Sequence, residues 1–178
     1  MNRNELMEVI DSWENLELTI QEILNNPDYL PVLMDLALYS NKPKSWRAAF
    51  LVDKIHDIQP QLIIPWLEKM ISGLITDLQS GKKRHFLKLI SLNKIEKKHF
   101  AFLMDYCLYT FTSGKEPVAV RVHSMQILFN LSETEPEFKP ELLAIIEHEM
   151  EVHPSAGISS RGKKLAKKLY SQIQRSQL

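Results

Sequence analysis

Among 178 residues there is a single cysteine, Cys107. A lone thiol excludes an intrachain disulfide and the paired-cysteine zinc motifs, and it fits a reducing compartment, so a cytoplasmic location is expected. Glycine is scarce, with five in the chain, and neither GxGxxG nor GxxxxGK[ST] occurs. A phosphate cradle built on a glycine-rich loop is therefore excluded. Gly157-Ile158-Ser159-Ser160-Arg161-Gly162 comes nearest to a nucleophile elbow. It misses the GxSxG spacing and follows no strand pattern, so its serines are expected to cap the last helix instead. HExxH is absent despite six histidines. Glu149 and His153, four apart, could supply half a metal site, but a solvated, acid-rich helix end is the expectation there. Long apolar runs are missing: nothing approaches the roughly 18–20 residues of a membrane span, and MNRNELMEVIDSW lacks the unbroken apolar stretch of a secretory signal. Net charge is also missing, with 22 basic and 22 acidic residues, so no global field draws the chain to nucleic acid or membrane. No catalytic residue, metal ligand or cofactor is expected.

What is present is helical periodicity almost throughout. In the last segment Ile158, Gly162, Leu165, Ala166, Leu169, Tyr170 and Ile173 step by three or four and share one stripe, with Lys163, Lys164, Lys167 and Lys168 on the other side. Breaks containing proline or glycine come at short intervals, as at Asn25-Asn26-Pro27, Ser80-Gly81 and His153-Pro154. They cut the chain into short helices with short links and no low-complexity tract.

An arginine recurs at the start of these helices. Arg47, Arg84 and Arg121 are 37 residues apart, and Arg161 follows after 40. Four residues past each stand Leu51, Lys88, Met125 and Leu165, and eight past stand Ile55, Leu92, Phe129 and Leu169, which predicts one apolar face. The second helix of each unit carries paired prolines: Pro27 and Pro31, Pro60 and Pro65, Pro136 and Pro140, with IEKKHFAFLMDYC replacing the marker once. Proline is tolerated in a first turn, where its missing N–H has no intrahelical partner. A two-helix unit of about 37 residues, repeated, predicts a solenoid in which stacked neighbours bury a continuous core. The pattern resembles HEAT and armadillo-like repeats, most clearly in SWRAAFLVDKI and VAVRVHSMQILFNL. That resemblance implies an all-α, right-handed α-α superhelix of about four to five helix pairs. Residues 1–178 are expected to form one domain, with repeats at roughly 14–40, 42–77, 80–113, 116–153 and 155–175.

Zero net charge conceals segregation. Residues 155–175 carry +6, 133–151 carry −6 and 1–26 carry −5. The candidate interaction surface is Arg47, Lys82, Lys83, Arg84, Arg121, Arg161, Lys163, Lys164, Lys167 and Lys168, with Glu133, Glu135, Glu137, Glu141, Glu147, Glu149 and Glu151 as its acidic counterpart. The simpler expectation for the four arginines is a structural ladder, long stems covering apolar surface and forks bridging to the adjacent repeat. Cys107 and the aromatics Phe100, Phe102, Tyr106, Tyr109 and Phe111 are expected in the core; a base-stacking platform would require exposed rings beside basic residues. The expected function is a non-enzymatic module binding an unknown protein partner through its charged surface, with no membrane association. The alternative is nucleic-acid binding, on a faint similarity to the HEAT-like DNA alkylation-repair proteins.

Overall fold

A computed structural model describes residues 1–176, and all regular structure among them is helical. It forms two compact units, Met1–Asn93 and the residues from Lys94 onward. In the first unit, α2 (Leu16–Asn25), α4 (Trp46–Ile58) and α7 (Ser80–Leu92) stack side by side. A second layer contains α1 (Arg3–Ser12), α3 (Leu30–Tyr39) and α6 (Leu67–Gly73), with the one-turn α5 (Pro60–Ile63) leading into the last. In the second unit α8 (Phe100–Thr112) and α10 (Lys139–Val152) both pack on α9 (Val118–Ser132), and α11 (Ala156–Ser176) packs on α9 and α10.

The proline pairs have a common consequence. Pro27 and Pro136 open single 3-10 turns, Pro27–Tyr29 and Pro136–Phe138, while Pro31 and Pro140 fall in the first turns of the α-helices that follow. Pro65 sits inside the 3-10 turn Ile64–Trp66 that separates α5 from α6. The same device appears without proline at Lys97–His99, just before α8. A 3-10 turn thus leads into α3, α6, α8 and α10 alike.

Both units have closed apolar cores. Leu6, Leu33, Leu51, Ile55 and Phe86 are sealed in the first; Leu103, Phe111, Met125, Ile146, Ile158 and Leu169 are sealed in the second. Each such side chain contributes roughly 1.5–3 kcal/mol of burial. Three apolar or aromatic positions depart from the sequence expectation. Leu92 is 57% exposed, Tyr109 75% and Tyr170 59%. Leu92 turns outward because α7 faces its core with Lys82, Phe86, Leu89 and Ile90. A residue two positions from Lys82 points to the opposite side of a helix, so Arg84 and Leu92 lie toward solvent, while Lys88 between them is half-buried.

Candidate functional site

The recurring cations divide into two groups. The first group caps helices. On α4, Arg47 Nη1 donates to the carbonyls of Ile10 (2.9 Å) and Asp11 (3.3 Å), at the C-terminal end of α1. Its guanidinium also lies 4.7 Å from the centre of the Trp13 ring. On α7, Lys82 Nζ donates to Ser40 O (2.6 Å) and Leu36 O (3.4 Å) at the end of α3. On α9, Arg121 Nε donates to Phe111 O (2.8 Å) at the end of α8. A cation early in a helix is mildly unfavourable to that helix, but here each satisfies the orphan carbonyls and negative pole of a neighbour's C-terminus. Of the four arginines expected to form a ladder, Arg47 and Arg121 cap a neighbouring helix; Lys82 does so in place of Arg84, and Arg161 bonds Gln126 instead.

Two residues of the candidate surface are withdrawn from it for this reason. Lys82 is 2% exposed and Arg121 is 4% exposed, so neither can meet a partner. Burial lowers the Lys82 ammonium to about 8. Arg121 Nη2 also pairs with Glu149 Oε2 at 2.6 Å, and His153 Nδ1 holds the same oxygen at 2.8 Å. Glu149 is itself buried, contrary to the solvated helix end expected there. It is spent on the arginine, and no cluster of metal-ligand type exists among the described residues.

Arg84 is exposed, with Nη2 3.0 Å from His85 Nε2. Lys83 is half-buried beside it. His85 reaches Asp53, buried on α4, at 2.8 Å, and Lys88 Nζ reaches the other carboxylate oxygen at 2.6 Å. Burial alone would raise the Asp53 carboxyl; the hydrogen bonds and charges of His85 and Lys88 outweigh it and hold the pKa below the ordinary value. The Asp53–His85 pair had no sequence signal, because its members lie 32 residues apart on different helices.

The second group lies on α11. Ile158, Gly162, Leu165 and Leu169 face inward, leaving Lys163, Lys164, Lys167 and Lys168 exposed. None of the four makes an ion pair among the described residues, although Lys168 Nζ lies 5.6 Å from the Phe129 ring centre. Arg161 is half-buried and bonds Gln126. Beside Lys167 and Lys168 opens a groove of about 430 Å³ lined by Phe129, Glu133, Ser171, Gln172 and Arg175. Its one acid, Glu133, is already engaged by Lys139 (3.0 Å) and Gln172 (3.1 Å). The groove thus offers uncompensated positive charge around an aromatic floor. Arg175 was missed by the sequence reading, though it lies seven residues past Lys168 on the same stripe. Ser155, rather than Ser159 or Ser160, caps α11, its Oγ accepting from Ile158 N at 3.2 Å.

The acidic counterpart is mixed. Glu137, Glu141, Glu147 and Glu151 are exposed on or beside α10, and Glu135 lies 3.9 Å from Lys97. The aromatic helix α8 offers no stacking platform: Phe111 is sealed, Phe100, Phe102 and Tyr106 are half-buried, and Tyr109 alone of the five is exposed. Burial pushes the Cys107 thiol up to about 12 and the Tyr106 hydroxyl likewise, both unsuited to chemistry near neutrality. No described helix is long and apolar enough to cross a membrane. A family model described as a HEAT repeat domain matches residues 2–169. No curated protein and no solved structure matches the chain.

Proposed function

The chain belongs to the HEAT repeat domain family, and on that premise we propose that it is a non-enzymatic protein-interaction module whose α11 face receives an acidic protein segment. The supporting observation is the run of exposed lysines without acidic partners beside the Phe129 groove. Arg47, Lys82, Lys88 and Arg121 are engaged by helix ends or carboxylates, whereas Lys163, Lys164, Lys167 and Lys168 stand together on α11 with no ion pair among the described residues. A glutamate-rich segment with one apolar or aromatic residue fits this chemistry, the apolar group on Phe129 and the carboxylates on the lysines. Such a contact makes and breaks no bond; electrostatic complementarity sets its rate and specificity.

The reading is tested by titrating a fluorescent acidic decapeptide and a duplex DNA of similar charge against the protein. The expected result is peptide binding that weakens about tenfold or more when all four lysines become glutamate, since each rim charge acts mainly on association. Tighter binding to DNA, with a steep salt slope, would transfer the site to the nucleic-acid alternative. Binding to neither would remove the site altogether.

A further inference from the structure

A second stripe on α11 runs beside the groove. Lys163, Lys167, Tyr170 and Gln174 follow at intervals of four, three and four, so they share one face, and all four are exposed. Tyr170, 59% exposed, is an apolar body with Lys163 and Lys167 preceding it on the same face. The mirror of this arrangement lies on α2. Leu18 is 69% exposed, and Glu17, Gln21 and Glu22 surround it on the outer face, all exposed. Glu14, just before the helix, is exposed too. One helix therefore presents an acid-rimmed leucine and the other a lysine-rimmed tyrosine.

We propose that α2 of one copy of this chain packs against α11 of a second copy, Leu18 against Tyr170, with Glu17 and Glu22 facing Lys163 and Lys167. This names the partner class of the α11 face and rests on the interaction-module reading above. The contact is of the same kind that the fold uses internally, where α2 stacks on α4 and α9 on α11. An exposed apolar residue among the acids selects α2 over the other acidic helices: α1 exposes Glu5, Glu8 and Asp11 but no large apolar residue. α10 exposes Glu141, Glu147 and Glu151 but no large apolar residue between them; Val152 stands only at its end. Because the two surfaces differ, the contact is heterologous and propagates head to tail. Opposed charges at an exposed rim are screened by salt, so the assembly is weak and ionic-strength dependent.

The test is a charge swap followed by analytical ultracentrifugation of the full chain at submillimolar concentration. One variant carries Lys163→Glu and Lys167→Glu, the other Glu17→Lys and Glu22→Lys. All four positions are exposed, and far-UV circular dichroism checks that both variants keep the helical fold. The wild type is expected to gain mass with concentration at about 0.05 M salt and to lose it at about 0.5 M, where the Debye length is only a few ångströms. Each variant alone stays monomeric, because like charges now face each other. Mixed one to one, the two recover association, since each supplies the face the other has lost. A monomeric wild type at low salt overturns the proposal, while retained binding of the acidic peptide would leave the interaction-module reading standing. Recovery only with a Glu141→Lys, Glu147→Lys partner assigns the contact to α10 and also overturns it.

Discussion

Arg121 shows what a single buried cation does in this fold. It ties the end of α8 to Glu149 of α10 from a position on α9, with both charged partners buried. Arg121→Met leaves the buried Glu149 carboxylate with His153 as its remaining partner and should cost roughly 3 kcal/mol. The double variant Arg121→Met, Glu149→Met removes both charges and should cost less than Arg121→Met alone; urea unfolding of the set gives the coupling directly. Lys82 makes a different prediction, in pH. Its pKa falls from 10.5 to about 8 on folding. Between those values the unfolded chain holds the proton and the folded chain does not. Its contribution to stability therefore rises with pH across that window, by an amount on the order of 3 kcal/mol. The stability difference between wild type and Lys82→Met, measured at pH 7.5 and again near pH 10, should shift in favour of the wild type. Arg84 stood at the expected interval in the sequence, yet Lys82 does the capping. Periodicity identifies that a cation recurs; the choice between two cations 200° apart on a helix depends on where the neighbour's carbonyls lie, which the sequence does not carry.

At the level of the element, α11 was the most readable part of the chain and α7 the least. In α11 the apolar stripe and the lysines separate cleanly, and Ile158, Leu165 and Leu169 lie inward as their spacing requires. The stripe overran at Tyr170 because that residue lies about 100° round the helix from the buried Leu169, at the edge of the arc that the neighbouring helices cover. In α7 two buried polar side chains, Lys82 and His85, replace apolar positions, so aligning the helix on Arg84 assigned the wrong face. The proline pairs were legible as helix starts, while the 3-10 turns they produce were not. Close helix contact adds a test. A Cβ on Gly162 of α11 would stand 2.6 Å from Met150 Sδ and 3.4 Å from Ile146 Cγ2, on the facing α10. Gly162→Val drives branched carbons into that contact and should lower stability by about 1–3 kcal/mol despite the better helix propensity, visible as a lower Tm.

For the whole molecule, the family, the helical class and the repeat were accessible because they rest on spacing. The charged surface was accessible only in part: composition registers a lysine, but not whether a carbonyl or a carboxylate has already claimed it. All three tryptophans, Trp13, Trp46 and Trp66, lie within the unit Met1–Asn93. Their fluorescence therefore reports that unit, whereas far-UV circular dichroism reports every helix. A single repeat domain requires the two unfolding curves to coincide; separate midpoints would make the units independent. The sealed thiol of Cys107 has a corollary of its own. With no other sulfhydryl in the chain, an alkylating reagent finds nothing to attack while α8 stays closed. Modification then requires a transient opening, and at reagent concentrations where alkylation outpaces reclosing the labelling rate becomes a clock for how often this core breathes.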